Sequence, residues 1–327
     1  SNATAVGSGA ADAATSAAQL VAVGKGAAGT ATTAADLTAI GQGAGYGLVD
    51  QAYNTFVGSR SGYNTIGTSN TFLGSASGYY AGDVDHCVAI GYSALLGATF
   101  EDDTQAGAIG SGTTITMDGA NANILVGMRV VGTNIAPGTY ITTVASSSAN
   151  PQVFVINQAV AASVSGGTTL TFYKNSGDYN IAIGSYALDA TTSGHSNIAV
   201  GYDAGTALTT GVSNVLIGRV AGAAMTDNEG NIAIGQAALD GCNGGENYNV
   251  AIGHYALSAD IIGADGCVAI GASALLSQSV ADANNVAIGF EAAKALTTGT
   301  DSVYMGYLAG GVGVITGNNN VVVGKGA

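Results

Sequence analysis

Asn180-Ile181-Ala182-Ile183-Gly184 returns as Asn197-Ile198-Ala199-Val200-Gly201 and again as Asn231-Ile232-Ala233-Ile234-Gly235. Further copies end at Gly253, Gly271 and Gly289, and degenerate ones at Gly218, Gly306 and Gly324. From Gly184 to Gly324 the successive spacings are 17, 17, 17, 18, 18, 18, 17 and 18 residues. Earlier copies end at Gly7, Gly24, Gly41, Gly58, Gly74 and Gly91, spaced 17, 17, 17, 16 and 17. A fixed period of this size marks a repeat architecture, in which each unit buries its apolar face only by stacking on its neighbours.

Each column of the repeat has a physical reading. Val or Ile flanks Ala in the strand, so period two sends the branched residues to one side and Ala to the other. Gly ends the strand by allowing positive φ or a close backbone approach. Asn stands four residues before the glycine in most copies (Asn54, Asn70, Asn180, Asn197, Asn214, Asn231, Asn249, Asn285, Asn320). One register of Asn predicts a stacked amide ladder. Cys87 and Cys267 occupy that register and read as packed substitutes rather than reactive thiols, while Cys242 falls in a Gly-rich turn. Three cysteines with no CxxC pair make neither an even disulfide framework nor a zinc site.

A coil of this length has room for two strands of about five residues and two turns. The pattern predicts an all-β chain: a parallel β-roll of 16–18-residue repeats, rising about 4.8 Å per coil. A thin roll lacks a second layer to bury against, and self-association supplies one. The small residue three places after the glycine (Ala94, Ala187, Ala204, Ala221) leaves space for another copy. The expected partner is therefore the chain itself.

Composition narrows the function. Among 327 residues there are 52 Gly, no Trp and 9% charged residues, with a net charge of −14. That balance opposes nucleic acid, which needs a basic face, and suits an anionic membrane surface poorly. No apolar run is long enough to span a bilayer. Ser1-Asn2-Ala3 reads as an expression scar, and the chain is expected to begin inside a longer gene product.

The interval from Gly91 to Gly184 is 93 residues, where one coil needs about 17. The chain therefore divides into N-terminal repeats over 1–99, an inserted β module over 100–176 and C-terminal repeats over 177–327. In the insert, Thr113–Met117, Val126–Gly132, Tyr140–Val144, Val153–Ile156 and Thr168–Phe172 read as strands, and Pro137-Gly138 as a turn. These suggest a small antiparallel β-sandwich or barrel projecting from the shaft, serving either as a binding surface or as a spacer.

His86, His195 and His254 form no metal-ligand spacing and read as surface turn residues. No nucleophile elbow is present. Asp83 with Asp85, and Glu101-Asp102-Asp103, are the carboxylate pairs to weigh for glycan cleavage, against a capping role in turns. Asp227-Asn228-Glu229 could hold calcium but lacks EF-hand spacing. Tyr92, Tyr186, Tyr202, Tyr255 and Tyr307 follow the repeat glycine, where they could stack on sugars or pack at a coil edge. The chain is expected to be no enzyme and to hold neither cofactor nor metal. No residue is assigned to receptor binding.

The repeated Asn-Val-Ala-Ile-Gly, followed by Ala-Leu or Ala-Gly, resembles the head repeats of trimeric autotransporter adhesins (the YadA-like family). The longer turns Ala207-Leu208-Thr209-Thr210-Gly211 and Ala295-Leu296-Thr297-Thr298-Gly299 look more like bacteriophage tail-fibre repeats. The coils are also longer than those heads typically have. The resemblance implies a left-handed roll, a homotrimer, and a virion tail fibre that binds a host-surface glycan or protein. The alternatives it leaves are a bacterial cell-surface adhesin head and a glycan-depolymerising tail spike.

Overall fold

A computed structural model describes residues 2–16, 18–48, 51–65, 67–82, 84–97, 105–109, 113–117, 129–131, 141–144, 152–156, 164–173, 177–243, 245–258, 264–278, 283–311 and 315–327. The chain folds as two compact units, one of Ser1–Gly97 with Ser176–Ala327 and one of Ala98–Asn175.

The first unit is a parallel β-solenoid. Fifteen strands stack into one sheet in sequence order, six before the insert and nine after it. Val88, Ala89 and Ile90 pair in parallel with Ile181, Ala182 and Ile183, so the ladder continues across the insert without a register shift. The repeat glycines hold φ between 129 and 142°. A Cβ at Gly235 would lie 2.5 Å from the Gly253 carbonyl oxygen, because these glycines stack in van der Waals contact along the shaft.

Each coil carries one strand of three or four residues, not the two of about five expected from its length. The reason is backbone handedness. Tyr186 (φ 59°) and Leu188 (φ 51°), two and four places after Gly184, and Tyr179 (φ 58°), five before it, are left-handed corners. Such corners cannot lie inside an extended strand. They still stack: Tyr186 N–H donates to the Tyr92 carbonyl at 3.1 Å, and Leu188 N–H to the Ala204 carbonyl at 3.1 Å. Successive corners thus bond to opposite neighbours, and the second wall is a hydrogen-bonded column of turns.

The strand's middle residue points inward. Ala182, Ala199, Ala233 and Ala251 are fully buried, while the flanking Val and Ile stand partly exposed on the outer sheet face. Ala94, Ala187, Ala204 and Ala221 are also fully buried. The small residue three places after the glycine therefore serves the coil's own core rather than the approach of another copy. It faces inward because it lies between two left-handed corners that turn the chain back over the sheet.

Among the described residues the second unit contains six strands in one antiparallel sheet. Their order is Ile141–Val144, Gln152–Ile156, Thr114–Met117, Gln105–Ile109, Val164–Tyr173 and Arg129–Val131. Ile115, Val130, Ile141, Phe154, Ile156 and Leu170 are its buried side chains among the described residues. Gln105–Ile109 is a strand that its Ala- and Gly-rich sequence does not announce. Pro137-Gly138 lies outside the described residues, as do Asp83 and Glu101-Asp102-Asp103.

Candidate functional site

One continuous surface of the solenoid is the outer face of its sheet. Residues three and one before each glycine form two lanes along the shaft. The lane next to the glycine is wholly apolar, with Ile40, Ile90, Ile217 and Met305 exposed to 39%, 38%, 37% and 43%. The other lane is Val or Ile, interrupted by Thr4, Thr38, Thr55 and Thr71. Neither lane has a charged residue. The parallel pairing places Val on Val and Ile on Ile from Val250 through Val286 and from Ile252 through Ile288. An apolar surface of this continuity is unusual on a solitary chain.

Two polar ladders run from coil to coil beside the strands. In the first, Asn214 Nδ2 donates to the Asn228 carbonyl at 2.7 Å, and Asn214 Oδ1 accepts the Asn231 N–H at 2.9 Å. The same accepting bond recurs at Asn54, Asn70, Asn180, Asn197, Asn231 and Asn249. The Asn column is thus a buried amide ladder, as the sequence predicts. Cys87 and Cys267 sit within it: Asn70 and Asn249 accept their N–H groups, and Asn180 N–H points at the Cys87 sulfur at 3.4 Å. Burial pushes the Cys87 thiol up to about 12 and the Cys267 thiol up to about 11. These are inert, packed thiols. Cys242 is buried too, in the coil core.

The second ladder lies six residues before the glycine and was not anticipated. Thr68 N–H donates to Asp85 Oδ1 at 2.6 Å, and Asp85 N–H to Asp178 Oδ1 at 3.0 Å. Glu229 N–H donates to Asn247 Oδ1 at 2.7 Å, and Asn247 N–H to Asp265 Oδ1 at 2.6 Å. The recurrence of Asp and Asn at that register was the available signal. Asp85 is therefore a ladder acceptor, with Thr68 Oγ1 also donating to it at 2.9 Å. Burial, and after it the charge of Asp85, raises the Asp178 carboxyl above its ordinary value even though the Asp85 N–H works against the shift.

The remaining sequence candidates disperse. His86, His195 and His254 are exposed; His86 stacks on Tyr179 at 5.3 Å and His254 meets the edge of Tyr255 at 4.2 Å. Asn228 turns inward, giving Nδ2 to Glu246 Oε2 at 2.8 Å and accepting the Thr226 N–H at 3.0 Å. It is unavailable to a cation beside Asp227 and Glu229. Among the described residues no group of three His, Cys, Asp or Glu side chains is placed to share a metal ion. Tyr92, Tyr186 and Tyr202 pack edge to face along the coil margin, with centroids 5.6 and 6.0 Å apart, and remain outward.

No family model matches the chain, and no curated protein or solved structure shows significant similarity to it.

Proposed function

We propose that this chain is a structural, host-surface-binding segment of a phage tail fibre, a non-enzymatic left-handed β-roll assembled as a homotrimer. The observation that carries this reading is the pair of uncharged apolar lanes along the solenoid. Because every rung presents two uncharged side chains, Val, Ile, Leu or Met beside the glycine and Val, Ile or Thr two places earlier, the face offers another copy of itself an uncharged surface at every level. Three such faces can close around one axis and bury the lanes, and closed symmetry avoids open-ended growth. The number three and the virion setting come from the resemblance of the repeats.

In this reading the fibre works by multivalent display. Three copies fixed on one axis raise the avidity of individually weak contacts to a cell surface. The insert, a module of antiparallel strands, either carries such contacts or acts as a spacer. The head of a bacterial trimeric adhesin is the alternative that shares the same lanes, and it would place the chain on a cell surface instead.

The test is the solution mass of the full chain by light scattering, alongside adsorption of labelled chain to a panel of bacterial cells. The expected mass is three times that of one chain. A monomeric mass with intact β-type circular dichroism refutes the assembly, and absence of adsorption to every strain refutes surface binding. An outer-membrane anchor encoded downstream would favour the bacterial adhesin over the phage fibre.

A further inference from the structure

Three tyrosines on the turn wall of the N-terminal repeats form a column. Tyr46 stacks on Tyr63 with centroids 5.1 Å apart and planes 9° apart, and Tyr63 stacks on Tyr79 at 5.2 Å and 11°. All stand five residues after a repeat glycine, so the coil spacing sets the ring spacing. The rings lie flat because glycines make room for them. A Cβ on Gly29 would sit 2.7 Å from the Tyr46 ring, and one on Gly43 would sit 3.1 Å from Tyr63.

Beside this column runs a groove made of two adjoining depressions of about 230 and 450 Å³. Arg60 and Gln42 line both, Lys25 and Tyr63 line the first, and Tyr80 and Tyr92 line the second. Only 7 basic residues occur in this chain of net charge −14, yet two of them converge here. Among the described residues no Asp or Glu lines either depression. Arg60 is exposed and makes no ion pair among the described residues.

We propose that this groove binds a carboxylated sugar unit of an acidic polysaccharide, with Arg60 clasping the carboxylate. The chemistry matches at each element. A guanidinium presents two parallel N–H donors to a carboxylate, which a lysine cannot do. Tyrosine edges and hydroxyls offer an apolar body with a polar tip, suited to the mixed faces of a pyranose. The Gln42 amide both donates and accepts, as ring hydroxyls require. The local basic charge draws an anionic chain to one stretch of an otherwise acidic shaft. The groove lies on the turn wall and uses neither outer lane of the sheet. This inference rests on the surface-binding reading above and adds to it a ligand class and a place.

The experiment titrates the full chain, in its native oligomeric state, with tetragalacturonate, with a sialic acid tetramer and with neutral maltotetraose. Tyrosine fluorescence and calorimetry serve as readouts, since the chain has 15 Tyr and no Trp. One or both acidic tetramers should bind and maltotetraose should not, and which one binds identifies the sugar acid. Arg60→Asn should weaken binding at least about tenfold, the scale of a lost bidentate charge-assisted pair. Asn suits the left-handed φ of 56° at this position, so the coil is retained. Arg219→Asn, on a distant coil, should leave binding unchanged. Failure of both acidic tetramers to bind below about 10 mM, equal binding by Arg60→Asn, or equal binding of maltotetraose overturns the proposal. Adsorption to bacteria bearing an acidic capsule separates the two readings. Wild type and Arg60→Asn adsorbing equally defeats the groove and leaves surface binding standing, whereas adsorption by neither to any strain defeats surface binding.

Discussion

The ring of Phe72 fills the space that a side chain at Gly78 would need. A Cβ added to Gly78 would lie 3.0 Å from Phe72 Cζ and closer still to two other ring carbons. The same exclusion joins Phe56 to Gly62, Leu216 to Gly222 and Tyr304 to Gly310, where the Cβ would approach within 2.7, 2.8 and 2.9 Å. In coils whose inward strand residue is Ala, as at Ala89, Ala182, Ala233, Ala251 and Ala269, Leu95, Leu188, Leu239, Leu257 and Leu275 stand at the glycine's place. In these coils one of the two positions carries a large inward side chain, whereas in the coils of Ala22 and Ala28, Ala39 and Gly45, Ala199 and Gly205, and Ala287 and Ala293 neither does. The large side chain can come from the strand or from the corner opposite.

A double-mutant cycle tests that exchange. Phe72→Ala alone should cost about 3–5 kcal/mol by leaving a cavity, and Gly78→Leu alone about 1–3 kcal/mol or more by overpacking. Together they recreate the Ala89/Leu95 type of coil, and Leu95 already holds a left-handed φ of 49° at the matching position. The double variant should therefore melt well above Phe72→Ala, with a favourable coupling of about 1–3 kcal/mol. Additive losses in thermal or denaturant unfolding would show that the two positions do not share one volume.

Much of this was legible one column at a time. The glycine period, the Asn ladder and the placement of Cys87 and Cys267 within it follow from a repeated residue at a repeated register, where position alone dictates partners. What escaped depends on two columns facing one another. Phe72 and Gly78 are both visible in the sequence, but their exclusion requires knowing that the strand and the second corner meet across the core. The inward direction of Ala204 has the same origin, since alternation separates two faces without saying which one is inside. The groove at Arg60 is less legible still, because it joins side chains from several coils whose registers differ.

Asn214 shows how much a single ladder member contributes. Its Nδ2 donates to Asn197 Oδ1 at 3.0 Å and to the Asn228 carbonyl at 2.7 Å, and its Oδ1 accepts the Asn231 N–H. Asn214→Ala strands the Asn231 N–H in a fully buried setting and takes one donor each from Asn197 Oδ1 and the Asn228 carbonyl, which keep the N–H groups of residues 214 and 212. The expected loss is about 2–4 kcal/mol, given the cost of leaving buried polar groups unmade. Amide exchange should rise first at Asn231. A loss under about 0.5 kcal/mol would mean that water replaces the side chain there.

Cys87 gives the shaft a pH dependence of known sign. Burial raises its thiol from 9.0 to about 12, so the fold favours the neutral form. That contribution is fully present below pH 9 and is lost as the pH rises towards about 12. Cys87→Asn removes the titrating group and supplies an amide oxygen in place of a sulfur, a weak acceptor, for the Asn180 N–H. The variant should melt above the wild type at pH 8, and its advantage should widen between pH 9 and 11. Every other ionisable group is common to both proteins, so the difference between the two is the readout. A constant difference would place the benefit in the hydrogen bond alone.

Ile217 and Ala204 separate folding from assembly. Ile217 stands in the outer lane, 37% exposed, whereas Ala204 is fully buried between corners. Ile217→Lys puts a charge on the proposed contact face while leaving the coil interior untouched. It should shift the full chain to monomer by light scattering, with little change in β-type circular dichroism beyond the stability that assembly itself supplies. Ala204→Arg instead forces volume and an unpaired charge into the coil core. It should lower the melting temperature and the β signal at any protein concentration. If Ile217→Lys keeps the oligomer, the lanes are not the contact surface. If Ala204→Arg stays folded and merely dissociates, the small-residue column faces a partner after all, contrary to its burial here.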